Sequence, residues 1–282
     1  MALLLITSFI WAFSFGLVKR YLGGVDSGFI AFARLALALL LFLPLWRPRN
    51  VPVATALRLL GIGMVEFGLM YVFYIQAFHF LAAHQVALFT VFTPLYVAAI
   101  DDALDGRFRP LHFWTALLAV AGTAVIVYSG LGRAGLLSGF FLVQASNACF
   151  AIGQLWYRRL SVAGRNWRDR DAFAWLYLGG TASAAMAMLA SPGTLHLRLG
   201  AGQLLVLLYL GLLASGVGFF LWNIGSSRVS VGMLAVMNNL KVPLAVAVSL
   251  LFFREHADLV RLTIGGGAIL LALYLNARNK TN

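Results

Sequence analysis

Apolar stretches of roughly 20 residues recur along almost the whole chain, and a helix of that length crosses the hydrocarbon core of a bilayer. Inside the bilayer such a helix satisfies its own backbone hydrogen bonds. The chain is 62% hydrophobic and 11% charged, whereas about a quarter of the residues in a soluble domain are charged. The sequence therefore predicts an all-α polytopic membrane protein with ten transmembrane helices, at about 2–21, 28–46, 57–78, 82–100, 111–130, 136–157, 172–190, 202–223, 230–252 and 259–277.

The lysines and arginines are unevenly distributed among the connecting loops, and this distribution predicts the orientation of the chain. With a cytoplasmic N-terminus, thirteen of the 21 lie on the cytoplasmic side, six on the other side, and Arg34 and Lys241 inside spans. Cytoplasmic loops carry the excess of these residues, so we predict that both termini are cytoplasmic. Because Lys19 and Arg20 follow the first stretch and no basic residue precedes it, we interpret it as a retained span rather than a signal peptide.

Weak internal similarity relates the two halves of the chain at an offset of 149 residues. At this offset Pro94 aligns with Pro243, and several neighbouring apolar residues also match. Each half has an odd number of spans, so the second five-helix repeat, 136–277, is predicted to be inverted relative to the first, 1–130. Inverted repeats are typical of secondary transporters that bind substrate near the membrane midplane. Chance matching of apolar sequences is the alternative explanation for the aligned residues.

Several functional classes lack their residue patterns here. The net charge of +12 comes mostly from loop residues, and no basic run is interleaved with aromatic residues, so no nucleic-acid partner is predicted. The five histidines are scattered, and no glycine-rich phosphate-binding loop is present, so we predict neither an enzyme nor a bound metal or cofactor. A filter sequence typical of ion channels is not found either.

The chain resembles the drug/metabolite transporter superfamily, in its ten-span EamA-type branch. The residues that carry the resemblance are the run from Trp11 to Phe15, Tyr71, Tyr74 and Ala77 in the third span, the two spans that contain Pro94 and Pro243, and the pair Arg254-Glu255. The first half departs from the pattern, because Asp101-Asp102 stand where the acidic residue after the span would be. The resemblance covers essentially the whole chain.

Within the superfamily the chain is most similar to the YddG-type amino acid exporters. That resemblance implies a multi-pass protein of the bacterial inner membrane with a central cavity lined by spans 1, 3, 4, 6, 8 and 9. The expected function is export of aromatic and other neutral amino acids and related metabolites by alternating access, with protons as a candidate coupling ion. A drug or nucleotide-type metabolite exporter is the alternative. The predicted spans contain only two cations, Arg34 and Lys241, and this small number favours a zwitterion over an anionic substrate.

Ionisable and amide side chains inside the apolar spans are the main candidates for function, because such groups usually face the interior of a helix bundle. Lys241 could pair with a substrate carboxylate while its neighbours Asn238 and Asn239 hydrogen-bond the polar atoms of the substrate, although snorkelling or a structural pair is the alternative for the lysine. Glu66 could bind a substrate ammonium or a coupling proton, or could form a structural ion pair with Arg34 or Lys241.

The remaining candidates are aromatic and amide side chains that share helical faces, and each has a structural alternative. Aromatic faces stack on flat substrates but also form interfacial belts, and amides line cavities but also join helices. The full predicted substrate-binding set is Trp11, Glu66, Tyr71, Tyr74, His79, Gln144, Asn147, Gln154, Trp222, Asn223, Asn238, Asn239 and Lys241. Pro94 and Pro243 are predicted to be hinges between the moving halves.

Overall fold

The computed structural model describes residues 1–106, 135–162, 167–190, 199–229 and 231–255, together with a few isolated positions after residue 106. The predicted fifth and tenth spans, 111–130 and 259–277, lie outside these ranges. Within them the ordered elements are helices and no strand occurs. The prediction of an all-α polytopic protein is therefore confirmed.

Eight long helices fill the described part of the chain, and the first seven are long and apolar enough to cross a membrane. Their ends agree with the predicted spans to within a few residues at most termini, although α3 and α5 extend further into the loops. The helices are α1 (Ala2–Tyr21), α2 (Ser27–Leu45), α3 (Val53–Ala77), α4 (Ala83–Leu104), α5 (Leu136–Val162), α6 (Asp169–Leu189), α7 (Ala201–Ser227) and α8 (Val231–Leu251).

Helices from the two halves pack directly against one another. Helix α2 lies against α6 and α7, α1 against α7 and α8, α3 against α5 and α6, and α4 against α5 and α8. Helix α2 begins where the Asp26 carboxylate accepts a hydrogen bond of 2.8 Å from the backbone N–H of Phe29, as is usual for a helix N-cap. Helices of both halves therefore surround the interior of the bundle.

Glycines allow α3 and α6 to approach each other closely. A Cβ atom at Gly63 of α3 would overlap the carbonyl oxygen of Leu176 on α6, and one at Gly179 of α6 would overlap the carbonyl oxygen of Leu60 on α3. Small residues that bring backbones together are a common basis of helix packing in membranes, because van der Waals contact replaces the hydrophobic driving force there. The α3–α6 pair therefore forms a tightly packed support beside the centre of the bundle.

Two helices contain a widened turn in corresponding places. Residues Met64–Leu69 of α3 and Tyr209–Val217 of α7 are π-helical, and the 149-residue offset brings the first segment largely onto the second. A π turn leaves backbone carbonyls available to side chains and is frequent at functional sites. In α7 the carbonyl oxygens of Ser215 and Gly216 both lie 2.8 Å from the Tyr177 hydroxyl, and they share the one proton that it donates.

Glu255, just after α8, holds the start of α4. Its carboxylate accepts hydrogen bonds from the backbone N–H groups of Ala83 and His84 at 2.8 and 2.9 Å, and from His84 Nδ1 at 2.8 Å. Arg254 turns the chain towards α4 with a φ of 51°, a left-handed conformation that costs an L-residue about 1–2 kcal/mol. The hydrogen bonds of Glu255 with the first turn of α4 offset this cost, and its carboxylate also interacts favourably with the dipole of that helix.

Replacing Glu255 with glutamine is expected to lower the melting temperature of the detergent-solubilised protein near neutral pH. Burial alone would raise the pKa of Glu255, but hydrogen bonds from His84 and Ala83 outweigh it and bring the pKa below 4.5. A lowered folded-state pKa contributes stability that is present above pH 4.5 and lost as the pH falls through the folded pKa.

The measurement is a thermal melt of the wild-type and variant proteins across a pH series. We expect a deficit of about 1 kcal/mol at neutral pH, the usual worth of a helix cap, and a smaller deficit in acid. The matched control is Asp105→Asn, because Asp105 pairs with Arg159 at an exposed site, where ion pairs contribute little. A deficit that stays constant down to acid pH would contradict this role of the carboxylate.

Candidate functional site

A cavity of about 70 Å³ lies at the centre of the bundle, where α1, α2, α3, α4, α5, α7 and α8 meet. Its walls are mostly aromatic and apolar, with a few hydroxyls, one amide and two cations. The lining residues are Trp11, Ser14, Phe15, Arg34, Met70, Tyr71, Tyr74, Thr90, Thr93, Ser146, Asn147, Phe150, Phe219 and Lys241.

Arg34 is a buried cation on the α2 wall of this cavity, with 1% of its surface exposed. Its Nε donates to Ser215 Oγ at 3.2 Å, and its Nη2 donates to the Tyr71 hydroxyl at 2.6 Å. The third nitrogen, Nη1, has no hydrogen-bond partner among the described residues. No described residue forms an ion pair with Arg34 either. The guanidinium is therefore held in place while the N–H groups of Nη1 and the positive charge remain unmatched within the described chain.

Lys241 is the second cation of the cavity, and aromatic rings surround it. Its Nζ lies 5.1 Å from the ring centroid of Phe150, 5.3 Å from that of Trp11 and 5.9 Å from that of Trp222. Ring faces attract an ammonium group at such distances. Within the described ranges Lys241 has neither a hydrogen-bond partner nor a carboxylate partner. Since the side chain is 6% exposed, it does not snorkel to the membrane surface.

A group of amides and hydroxyls forms the wall between α4 and α5. The Asn147 amide donates to the Phe89 carbonyl at 2.9 Å and to Gln144 Oε1 at 3.2 Å, and its Oδ1 accepts from Thr93 Oγ1 at 3.2 Å. The carbonyl of Phe89 is available because a 3₁₀ turn, Thr90–Phe92, interrupts α4 there. Asn147 is thereby fixed facing the cavity, with Gln144 behind it.

Glu66 and Asn223 form a buried contact between the two halves, away from the cavity wall. Asn223 Nδ2 donates to Glu66 Oε1 at 2.9 Å, and both residues are 0% exposed. The proposed ion pair of Glu66 with Arg34 or Lys241 is wrong, because Asn223 is its partner instead. Beside this pair, Trp222 Nε1 donates to Gln154 Oε1 at 3.3 Å, so these two predicted residues also lie one layer behind the cavity.

The aromatic candidates of the third span divide between the cavity and the surface. Tyr71 and Tyr74 line the cavity, and the Tyr74 ring packs edge-on against Phe15 at 5.7 Å between centroids. His79 lies outside the cavity at an exposed end, where its Nε2 is 2.7 Å from Ser27 Oγ. It is one predicted site residue that the structure does not bring to the centre.

The polar run in α8 contributes only its lysine to the cavity. Asn238 is 0% exposed and donates back to the Leu234 carbonyl of its own helix at 3.2 Å, whereas the side chain of Asn239 lies outside the described set. Helix α8 continues through Pro243, and Pro94 follows the 3₁₀ turn of α4. The hinge role of the two prolines stays a prediction.

Arg34 is the main residue that the sequence reasoning did not place in the site. It was considered as a partner for Glu66 and as one of two core cations, but not as a substrate-binding residue, although an arginine in the middle of an apolar span is itself a functional candidate. Thr90 and Thr93 were also missed; their position just before Pro94 was the available signal, since a proline loosens the preceding turn. Phe150 and Phe219 carry no such signal, because they are ordinary apolar residues in apolar helices.

The comparison that decides the family is a match to a sequence family described as "EamA-like transporter family", over residues 1–128 and again over residues 137–278. The chain belongs to the EamA-like transporter family. It therefore has the ten-helix repeat fold of this family, within the drug/metabolite transporter superfamily. A solved structure described as "Crystal structure of protein" has the same fold, with a TM-score of 0.69 and 19% identity over 97% of this chain and 95% of its own.

Curated relatives of this transporter carry names that specify a substrate. The chain is 42% identical over 98% of its length, and 97% of the relative's, to the "Probable biotin transporter" of Pseudomonas aeruginosa. It is 37% identical over 99% of its length, and 93% of the relative's, to the "Biotin transporter" of Escherichia coli K12. Similarity to the "Aromatic amino acid exporter YddG" of Ancylobacter novellus is 28% identity over 59% of the chain and 57% of that protein.

The predicted substrate class is therefore wrong. Relatives that match this transporter over nearly its full length are named for biotin, whereas the amino acid exporter matches at lower identity over little more than half. The prediction of amino acid or drug efflux came from an overall resemblance that most members of the superfamily share. That prediction also assumed that two core cations are too few to bind an anionic substrate. In the structure both cations, Arg34 and Lys241, line the cavity, and neither has a carboxylate partner among the described residues.

Proposed function

We propose that this protein is a biotin transporter of the bacterial inner membrane. The observation that carries the proposal is 42% identity over 98% of the chain to a protein named as a probable biotin transporter. The cavity supports it independently of the name, because biotin combines a carboxylate, a flat ureido group and an apolar sulfur-containing ring. The walls offer complementary groups for each of these parts.

The carboxylate of biotin binds at Arg34 in this proposal. A guanidinium presents several N–H donors in one plane and fits a carboxylate better than any other side chain does. Two of its nitrogens are already oriented by Ser215 and Tyr71, and the third has no partner among the residues that the structure describes. A buried charge without a counter-ion is unfavourable, so an anionic substrate would relieve this cost.

The ring end of biotin lies between Lys241 and Asn147 in this arrangement. The aromatic rings around Lys241, from Trp11 and Phe150, provide flat apolar surfaces for the bicyclic ring and favourable contacts for its sulfur. The ammonium of Lys241 donates to the ureido oxygen, and the fixed amide of Asn147 faces the ureido nitrogens. A mostly apolar site with a few convergent polar groups is the common form of a small-molecule site.

Movement of the two halves about this site carries the substrate across the membrane. The cavity walls come from both halves, with Arg34 and Asn147 on different repeats, so rocking of one repeat against the other exposes the site alternately to the two sides. The loop charges favour cytoplasmic termini, and Pro94 and Pro243 are the proposed hinges.

A growth test in bacteria addresses the proposed substrate directly. The host lacks both biotin synthesis and its own biotin transporter, and the medium contains biotin at a limiting concentration. Expression of this chain is expected to restore growth and uptake of labelled biotin, with unlabelled biotin but not excess amino acids competing. Failure to restore uptake, with the folded protein shown to be in the membrane, would reject biotin as the substrate.

Replacing Lys241 with methionine is expected to lower the affinity for biotin while raising the melting temperature of the substrate-free protein. A hydrogen bond from a charged donor contributes about 1.5–3 kcal/mol, which corresponds to roughly 10–100-fold in affinity. The methionine removes a desolvated charge, keeps a similar length and leaves the aromatic walls filled.

Binding is measured by competition with labelled biotin, and stability by thermal melts of the same preparations. The control is Arg20→Met, at the exposed end of α1, for which neither quantity should change. A Lys241→Met protein with unaltered biotin affinity would remove Lys241 from the site.

A further inference from the structure

The buried pair of Glu66 and Asn223 has one unsatisfied oxygen on each partner. Asn223 Nδ2 donates to Glu66 Oε1 at 2.9 Å, but Glu66 Oε2 and Asn223 Oδ1 have no hydrogen-bond partner in the part of the chain that the structure describes. Both atoms are acceptors when the carboxylate is ionised, so the ionised pair leaves two buried acceptors unmatched. A single proton on Glu66 Oε2 supplies the donor that is missing, and a carboxyl group facing an amide can then form two hydrogen bonds.

Apart from the Asn223 amide, no described residue forms a hydrogen bond or an ion pair that would stabilise a negative charge on Glu66. Helix α5 places Gly153 directly against the Glu66 side chain, where even a Cβ atom would overlap it, and the Tyr177 hydroxyl of α6 bonds to backbone carbonyls of α7 instead of to Glu66. The cation on α2 nearest to this region, Arg34, is bonded to Tyr71 and Ser215. Within the described chain Glu66 forms no ion pair, and an isolated buried carboxylate is normally neutralised by a proton.

We propose that Glu66 is a proton-binding site that couples biotin transport to the proton gradient, with one proton and one biotin anion moving together. This inference rests on the proposed function. The proton binds to Glu66 Oε2 from one aqueous side and is released from it to the other. Because the biotin carboxylate carries one negative charge, the coupled step moves no net charge.

The position of the pair explains how the proton acts on the cavity. Glu66 lies in the π segment of α3 and Asn223 in α7, and these helices belong to different halves. Met70, one turn beyond Glu66, lines the cavity, while Trp222, beside Asn223, contacts the ring of Trp11 at 5.0 Å between centroids. Proton binding holds the two helices together, and proton loss favours a state in which water reaches the ionised carboxylate.

Two measurements on proteoliposomes, gradient-driven uptake and biotin exchange, test proton coupling separately from the identity of the substrate. When the outside of the vesicles is more acidic than the inside by about one pH unit, the entry of one proton with each biotin anion sustains roughly tenfold accumulation of biotin inside. We expect the wild-type protein to load labelled biotin much faster than protein-free vesicles under this gradient, with no effect of an imposed membrane potential. Glu66→Gln should exchange biotin for biotin at a near-normal rate but show no stimulation by the gradient.

Glutamine is suited to this test because it mimics the protonated acid: its amide can donate to Asn223 Oδ1 and accept from Asn223 Nδ2. Asp105→Asn, at an exposed carboxylate, is the control and should retain stimulation by the gradient. Stimulation of biotin uptake by the gradient in Glu66→Gln would overturn the proposal, and so would wild-type uptake that ignores the gradient.

A second readout needs no substrate. The infrared spectrum of the wild-type protein at neutral pH should contain the carbonyl stretch of a protonated carboxyl group, and Glu66→Gln should lack it. If this band is present but no biotin exchange occurs, the proton site stands and the proposed substrate fails. If the band is absent from the wild-type spectrum, the proton site is rejected whatever the protein transports.

Discussion

Replacing Arg34 with glutamine is expected to reduce the affinity for biotin roughly 30-fold or more while leaving the affinity for neutral biotinamide nearly unchanged. Removing one partner of a buried charge pair costs about 2–5 kcal/mol, and each 1.4 kcal/mol corresponds to about tenfold. Glutamine keeps a hydrogen-bond donor near Tyr71 and Ser215 but removes the charge that the carboxylate needs.

The measurement is competition of biotin and biotinamide against labelled biotin, for the wild-type protein and for Arg34→Gln. The ratio of the two inhibition constants isolates the carboxylate, because the two ligands share the ring and the chain. Tyr71→Phe removes one bond that orients Arg34 and should produce a smaller shift in the same direction. An equal loss for both ligands would mean that Arg34 supports the fold or the ring site instead of binding the carboxylate.

Replacing Gly63 with valine is expected to prevent formation of the native bundle. Its Cβ would overlap the Leu176 carbonyl oxygen, which is a backbone atom of α6 and cannot rotate away as a side chain could. Overpacking of a well-packed interior costs about 1–3 kcal/mol, and more when the backbone must move. Because α3 carries Glu66, Met70 and Tyr71, its displacement would also disrupt the cavity.

Gly61→Val is the matched control for this variant. Gly61 lies two residues away on the same helix, and a Cβ atom there would meet nothing within 4 Å. Fluorescence-detected gel filtration of solubilised membranes should give a monodisperse peak for Gly61→Val and aggregated or absent protein for Gly63→Val. Equal behaviour of the two proteins would show that the α3–α6 contact is not essential.

The sequence was sufficient for the all-α polytopic fold because hydrophobic length acts locally. Each of the eight described helices could be predicted from its own run of residues, whereas the orientation of the chain and the inversion of the second repeat stay predictions. The glycine contact between α3 and α6 was not predictable in the same way, because it depends on which faces of two distant segments meet. Gly63 and Gly61 are indistinguishable in sequence, yet only Gly63 lies against a backbone carbonyl.

The candidate site could be predicted in part for a similar reason. Lys241, Asn147, Tyr71 and Tyr74 were found because polar or aromatic groups at membrane depth are conspicuous, and they line the cavity. Whether such a group faces the cavity or a neighbouring helix depends on rotation within the bundle. Glu66 lies behind the wall for that reason, although it belongs to the same helix as the two tyrosines.

Counterflow of labelled biotin into liposomes containing the purified protein tests the central claim most directly, because it requires no driving force and no other cellular component. Vesicles loaded with unlabelled biotin should take up labelled biotin in a saturable manner, and excess neutral amino acids should not compete. Arg34→Gln vesicles should show little counterflow at the same biotin concentration. Absence of biotin counterflow in the wild-type protein, or equal counterflow in Arg34→Gln, would contradict a biotin site in this cavity.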